Sequence, residues 1–267
     1  MKIGFIGFGK VANTLSKKLL ENNMDVYTST KGRSQKTKEL ARDLGVKIIG
    51  SYEELAKQSD ILISSTSPKS ALAIAQKYGV LTNGVFIDLN NISPQTTMKI
   101  ANIFDESSFK SINENNFNSS FVDGAIIGKV SSENAVIIVS GEDSDKIAIL
   151  NDYGINVKIL SQKIGDVSTI KMLRSIYTKG ITATLYETFL VAEHLDLSNE
   201  LFDIIAISEG ENFKSRSKSR LKNLTTSKSR KFEEMDEVLD FLKSIYEDNE
   251  LEFNSIMSEA AKKKFKR

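Results

Sequence analysis

Cysteine is absent from the 267 residues, which excludes disulfides, thiolate nucleophiles and cysteine-ligated metals together. A reducing cytoplasm is the compartment expected for such a chain. Histidine occurs once, at His194, so a multi-histidine metal centre is excluded and no metal site is expected. Proline occurs twice, at Pro68 and Pro94, leaving the rest of the chain without the residue that interrupts helices. Long hydrophobic runs are also missing, and none approaches the roughly 20 residues of a membrane span. The apolar start, Lys2–Ile6, is short, runs into glycine and lacks a cleavage site, so it is not expected to be a signal peptide. Nor is there an excess of charge: 36 Lys and Arg face 35 Asp and Glu, which argues for neither nucleic acid nor an anionic membrane as partner.

Strand-like and helix-like segments alternate through the first part. Strand-like segments at Lys2–Ile6, Asp25–Ser29, Val46–Ile49, Ile61–Ser64, Val85–Asp88, Ser120–Val122 and Ala135–Ser140 predict strands. Amphipathic stretches such as Thr37–Leu44, Tyr52–Gln58, Ala71–Tyr78 and Thr96–Ile103 predict the intervening helices. This alternation implies an α/β fold with a parallel, doubly wound Rossmann sheet. Near Ser161–Gly165 the texture changes, and from Asp166 onward the periodicity is helical. The expected division is residues 1–162 as a dinucleotide-binding domain and 163–267 as an all-helical domain for substrate and dimerisation.

The segment Gly7-Phe8-Gly9-Lys10-Val11-Ala12 lies between the first strand and the first helix, the context that the dinucleotide fingerprint G-x-G-x-x-G/A requires. Gly7 permits the turn, Gly9 admits a pyrophosphate to the backbone, and Ala12 keeps helix and strand close. The helix N-terminus offers free N–H groups to the phosphates. After the second strand comes Lys31-Gly32-Arg33-Ser34 and no acid, so the ribose end of the site carries cations and hydroxyls. That chemistry suits the 2′-phosphate of NADP(H), with NAD as the alternative cofactor and a solvated basic turn as the alternative reading.

No histidine chemistry is indicated, since His194 stands near a helix end, where capping accounts for it. In the helix beginning at Gly165–Asp166, Lys171, Ser175, Thr178 and Thr182 form one polar stripe with Arg174 on its flank. Such a stripe faces either water or a cavity.

Together the Gly7–Ala12 loop, Asp88-Leu89-Asn90-Asn91-Ile92-Ser93-Pro94, Asp123-Gly124-Ala125-Ile126-Ile127-Gly128 and Gly165 six residues before Lys171 resemble the β-hydroxyacid dehydrogenase and 6-phosphogluconate dehydrogenase-like superfamily. The resemblance spans nearly the whole chain and points to a poorly characterised branch with its own helical C-terminal domain. It implies that Lys171 is the catalytic lysine, with Asp123, Gly124, Ala125, Arg174 and Ser175 binding substrate. It further implies that residues 123–128 form a substrate-binding turn. Cofactor contacts are implied for Gly7, Phe8, Gly9, Lys10, Val11, Arg33, Ser34, Ser65, Thr66, Pro68 and Asn90. The chain departs from the superfamily's pattern at Ile127, Lys129, Val167 and Ser175, so the resemblance implies the lysine chemistry without fixing which hydroxyacid is the substrate. The activity implied is NADP-dependent hydride transfer with a small polar, carboxylate-bearing hydroxy or carbonyl compound. An imine reductase and a non-catalytic NADP-binding protein are the alternatives.

Eight basic residues between Lys214 and Lys231 precede an acidic span from Glu233 to Glu252. No aromatic residue interleaves the basic run, and the neighbouring acids would repel a phosphate backbone, so nucleic acid is not expected. Two solvated helices, paired with each other or across a homodimer, are expected instead.

Overall fold

The computed structural model describes residues 1–105, 119–249 and 255–266 of the 267-residue chain. The chain falls into two compact units, Met1–Ile170 and Lys171–Arg267. In the first, β1 (Lys2–Ile6), α1 (Lys10–Glu21), β2 (Asp25–Ser29), α2 (Gln35–Asp43), β3 (Lys47–Ile49), α3 (Tyr52–Gln58) and β4 (Ile61–Ser64) follow one another. Then come α4 (Pro68–Lys77), β5 (Val85–Asp88), α5 (Pro94–Asp105), β6 (Ser120–Ile127), β7 (Val136–Ser140), α6 (Ser144–Ala148) and β8 (Val157–Ser161). The next helix, α7 (Asp166–His194), begins in this unit and continues into the second.

The strands form one sheet in the order β3-β2-β1-β4-β5-β6-β7-β8, with β1 to β6 mutually parallel. Side chains alternate between its faces. Ile61, Ile63, Val85 and Ile87 pack with Ala12, Leu15 and Leu19 of α1 in one core, while Leu62 and Phe86 pack with Leu55, Ile74 and Ile100 of α3, α4 and α5 in another. A core on each face explains why these strands read as unbroken apolar runs.

The far edge departs from the parallel sheet expected from the sequence. Strand β7 runs antiparallel to β6, and β8, which carried no clear strand signal, pairs parallel to β7. Only residues 128–135 join β6 to β7, too few for a crossover and enough for a hairpin. Ile159 and Leu160 of β8 are exposed, so its apolar pattern is blurred by its place at the sheet edge. Residues 123–127, expected as part of a turn, are the second half of β6 and are laddered to Val136–Ser140.

The expected division at residue 162 falls in the turn before α7, whereas the compact units divide at Ile170/Lys171. The first turn of α7 is tied to the sheet: the Ser168 N–H donates to Asp123 Oδ2 at 2.9 Å and the Val167 N–H to Ser140 Oγ at 3.3 Å. These donors stand among the first N–H groups of the helix, which have no partner within it.

The second unit holds the rest of α7 with α8 (Ser198–Glu209), α9 (Phe213–Asn249) and α10 (Ile256–Phe265). The basic span and the acidic span as far as residue 249 lie on one continuous helix, α9, instead of the two helices expected, because no Gly or Pro interrupts residues 213–249. Met172, Ala183, Met235, Val238, Phe241, Leu242, Ala261 and Phe265 form its core. Charges join the helices: Lys179 of α7, 7% exposed, meets Glu234 of α9 at 3.1 Å, Lys264 of α10 meets Glu187 of α7 at 2.6 Å, and Lys214 pairs with Asp203.

The carboxyl of Glu237 on α9 is held above the usual glutamate range, first by burial and then by its acidic neighbours Asp240 and Asp236. The folded chain therefore takes up this proton more readily than the unfolded one, and stability falls as pH rises through that window. Glu237→Gln removes the penalty. The variant should melt above wild type at neutral pH, and the difference should vanish below about pH 4 in thermal melts, where glutamate is protonated in both states.

Candidate functional site

The order β2-β1-β4 places a topological switch beside β1, where open α/β sheets bind ligands beyond the carboxyl ends of their strands. A cleft of about 290 Å³ occurs there, lined by Gly7, Phe8 and Gly9 after β1, Arg33 and Thr37 after β2, and Ser65, Thr66, Ser67 and Ser70 after β4. The sequence-predicted residues Gly7, Phe8, Gly9, Arg33, Ser65 and Thr66 thus come together around one space.

Gly7 has φ +87°, and a Cβ there would lie 2.5 Å from Thr66 Cγ2 and 2.7 Å from the Ser65 carbonyl oxygen. The Ser65 hydroxyl donates to the Gly7 carbonyl at 3.0 Å, locking the loop after β4 to the glycine turn. At Gly9, by contrast, a Cβ would meet no atom of the described residues within 4 Å, so the space is open on the ligand side. Gly9 is also the N-cap of α1, with no side chain to cap it and no acid in the first turn. Thr66 Oγ1 is buried and has no hydrogen-bond partner among the described residues. An open cradle, uncapped helix N–H groups and an orphaned hydroxyl fit a dinucleotide pyrophosphate.

At the end of β2 the Arg33 N–H donates to the Thr30 carbonyl at 3.0 Å, closing a turn in which Gly32 takes φ +71°. This is the conformation glycine supplies at the third position of a type II turn. The Ser34 hydroxyl accepts the Thr37 N–H at 3.4 Å and caps α2. Arg33 donates from Nε to the Tyr52 hydroxyl at 2.9 Å.

Most other predicted cofactor residues adjoin the cleft-lining residues in sequence without lining the cleft themselves. Lys10 and Val11 are in the first turn of α1, Pro68 is exposed at the start of α4, and Ser34 is occupied as a cap; none lines the cleft. Asn90 is buried, donating from Nδ2 to Asp88 Oδ2 at 2.7 Å and to Ser64 Oγ at 3.0 Å. Thr37, Ser67 and Ser70 line the cleft without having been predicted, since isolated hydroxyls carry no motif; the capping spacing from Ser34 to Thr37 was the one available signal.

Ser64, Asp88, Asp123 and Ser140 stand opposite one another across β4, β5, β6 and β7, a polar row at one level of the sheet. Asp88 and Asp123 are 1% and 2% exposed. Asn90 satisfies the first through its backbone and side-chain N–H groups, and Ser168 donates to the second. Gly124 is required by packing, for a Cβ would come within 2.8 Å of both Ile87 Cδ1 and Leu89 Cδ2, and Ala125 is buried in the sheet.

Lys171, Arg174 and Ser175 belong to the second unit, along a turn of α7, with Lys171 and Ser175 half-buried and Arg174 exposed. The Thr178 and Thr182 hydroxyls of the same stripe donate back to the Arg174 and Thr178 carbonyls at 3.0 and 2.7 Å. Among the described residues, no group of three or more His, Asp or Glu is placed to hold a metal ion, and no helix is long and apolar enough to cross a membrane.

Fold and cleft define a Rossmann-type NADP-binding unit, and the comparisons with known proteins agree. Residues 2–92 match the family described as NADP oxidoreductase, coenzyme F420-dependent. The chain is 42% identical over 244 residues to an uncharacterised 28.5 kDa protein from the 7S RNA 5′ region of Methanothermus fervidus, covering 91% of this chain and 92% of the relative. The solved structure of the conserved protein MTH1747, described as similar to 3-hydroxyacid dehydrogenases, is 36% identical with a TM-score of 0.79 and covers 99% of this chain and 95% of that one. The chain belongs to the family of these two proteins. A 3-hydroxyisobutyrate dehydrogenase from Salmonella typhimurium shares the fold at 14% identity and TM-score 0.74, covering 99% and 93% of the two chains. An imine reductase from Pseudomonas sp. also shares it, at 14% identity and TM-score 0.64, covering 97% and 90%.

Substitutions at the two loop glycines should separate folding from binding. Gly9→Ala fills open space at the N-cap of α1 and should lower the melting temperature only slightly, alanine costing about 1 kcal/mol or less at that position, while abolishing tight NADPH binding. Gly7→Ala forces a strained backbone against Ser65 and Thr66, worth about 1–3 kcal/mol, and should lower both stability and affinity. Calorimetric titration with NADPH, beside thermal melts, checks both outcomes.

Proposed function

We propose that this protein is an NADP-dependent dehydrogenase or reductase acting on a small polar, carboxylate-bearing hydroxy or carbonyl compound, with Lys171 as general acid and base. The observation that carries the reading is the cleft beside β1, whose open Gly9 cradle, uncapped α1 N-terminus and orphaned Thr66 hydroxyl suit a dinucleotide. In this reading the backbone of Gly7–Gly9 and the first turn of α1 hold the pyrophosphate, and Arg33 with Thr37 holds the ribose 2′-phosphate. When bound, NADP supplies the hydride chemistry.

Lys171 takes the proton from the substrate hydroxyl at Nζ during oxidation and returns it to the carbonyl oxygen during reduction. A free lysine titrates near 10.4, so at neutral pH the acid role in reduction needs no adjustment, whereas the base role needs a value of about 7–8. Arg174 and Ser175, along the next turn, bind the substrate carboxylate by charge and hydrogen bond. Asp123 secures the start of the helix that carries these residues, through the Ser168 N–H.

Lys171→Met tests the assignment. Against a panel of hydroxyacids, aldehydes, ketones and imines with NADPH or NADP+, the variant should lose about 10²–10⁴-fold in turnover of its carbonyl substrate and keep NADPH affinity. Undiminished carbonyl turnover would overturn the lysine's role. Turnover confined to imines would point to the imine reductase alternative, and NADPH binding without turnover of any panel member to a non-catalytic protein.

A homodimer through the helical unit belongs to the same proposal. Ile204 and Ile207 share one face of α8 and are 66% and 81% exposed, and Tyr177 of α7 is also exposed. Large apolar side chains so placed are covered at low cost by a second copy. Charging the face with Ile204→Glu and Ile207→Glu should convert a dimer to a monomer in analytical ultracentrifugation without lowering NADPH affinity.

A further inference from the structure

We infer that Tyr52 is a positioning residue for cofactor choice: it holds the Arg33 guanidinium ready for the 2′-phosphate and so sets the preference for NADPH over NADH. The inference rests on the proposed role of Arg33. Tyr52 does not line the cleft, whereas Arg33 lines it together with Thr37 and Ser70. Its hydroxyl accepts the Arg33 Nε–H at 2.9 Å, and the guanidinium carbon is 6.0 Å from its ring centroid. That separation is the outer limit of a cation–π contact, so the hydroxyl is the stronger hold. Occupying Nε leaves both terminal nitrogens of the guanidinium to form the two-pronged bond that a phosphate accepts.

Tyr52 is itself well braced. It opens α3, which Ser51 caps by accepting the Glu54 N–H at 3.1 Å. Its ring packs on Tyr78 at 5.4 Å between centroids, and Tyr78 closes α4, the helix whose other end brings Ser70 to the cleft. Arg33, in contrast, sits exposed on a short turn. An unrestrained arginine side chain gives up much of its rotamer freedom when it is immobilised on a ligand. A side chain already tethered loses less on binding, which raises affinity for the ligand that uses it. NADH has no 2′-phosphate and gains nothing from the tether.

Tyr52→Phe keeps the ring and its packing and removes only the hydroxyl. Fluorescence or calorimetric titration should show NADPH binding weakened by about 3–10-fold, the range of one hydrogen bond, with NADH affinity unchanged. Arg33→Ala should weaken NADPH by a larger factor, and adding Tyr52→Phe to it should cause no further loss, since the tyrosine acts through the arginine. The inference is overturned if Tyr52→Phe leaves NADPH affinity at the wild-type value while Arg33→Ala lowers it. It is equally overturned if Tyr52→Phe weakens NADPH and NADH alike, which marks a structural role, or if the two substitutions add. A different result, Arg33→Ala without effect on NADPH, would instead defeat the phosphate role of Arg33 on which the inference rests.

Discussion

The site depends on one close approach of backbone to backbone. The chain leaves β1 through Gly7 in a left-handed conformation and passes so near Ser65 and Thr66 that no Cβ fits between them. That contact aims the N-terminus of α1 at the carboxyl edge of the sheet. Because Gly9 caps this helix without a side chain, its first N–H groups are left for a ligand. Packing on one side of the turn and emptiness on the other are thus two consequences of a single geometry. A side chain at Gly7 would meet Ser65 and Thr66, whereas one at Gly9 would meet no atom of the described residues within 4 Å.

A second set of constraints operates deeper in the sheet. Ser64, Asp88, Asp123 and Ser140 sit at one level across four strands, and two buried carboxylates in such a row would be costly without donors. Asn90 supplies donors to Asp88, and the backbone of α7 supplies them to Asp123 and Ser140. The carboxylate of Asp123 meets the positive end of the helix, a favourable arrangement electrostatically as well as by hydrogen bond. The polar row therefore has a mechanical role, fixing where the long helix begins.

Much of this was legible in the sequence, and the exceptions share a cause. Strands β1, β4 and β5 are apolar runs because both faces of the sheet are covered, and Gly7–Gly9 announces itself by spacing. The length of α9 follows from the absence of Pro and Gly through residues 213–249. Strand β8 was not legible, because an edge strand with exposed Ile159 and Leu160 loses its alternation. Thr37, Ser67 and Ser70 escaped notice because a hydroxyl becomes a site residue only by where it is brought. Tyr52 stands 19 residues from Arg33 and belongs to a different element, so no local pattern could join them.

What the sequence determined by itself was local: the glycine turn between strand and helix, the basic turn after β2, the alternation that builds the doubly wound sheet, and the helical character of the remainder. These depend on backbone angles and on periodicity along a few turns, which neighbouring residues dictate. The tertiary structure alone decided that β7 turns back against β6, that residues 123–127 are strand, that Asp123 holds Ser168 across 45 residues, and that Tyr52 holds Arg33. Those are contacts through space, and their partners are chosen by the packing of the whole sheet and its helices rather than by any stretch of chain.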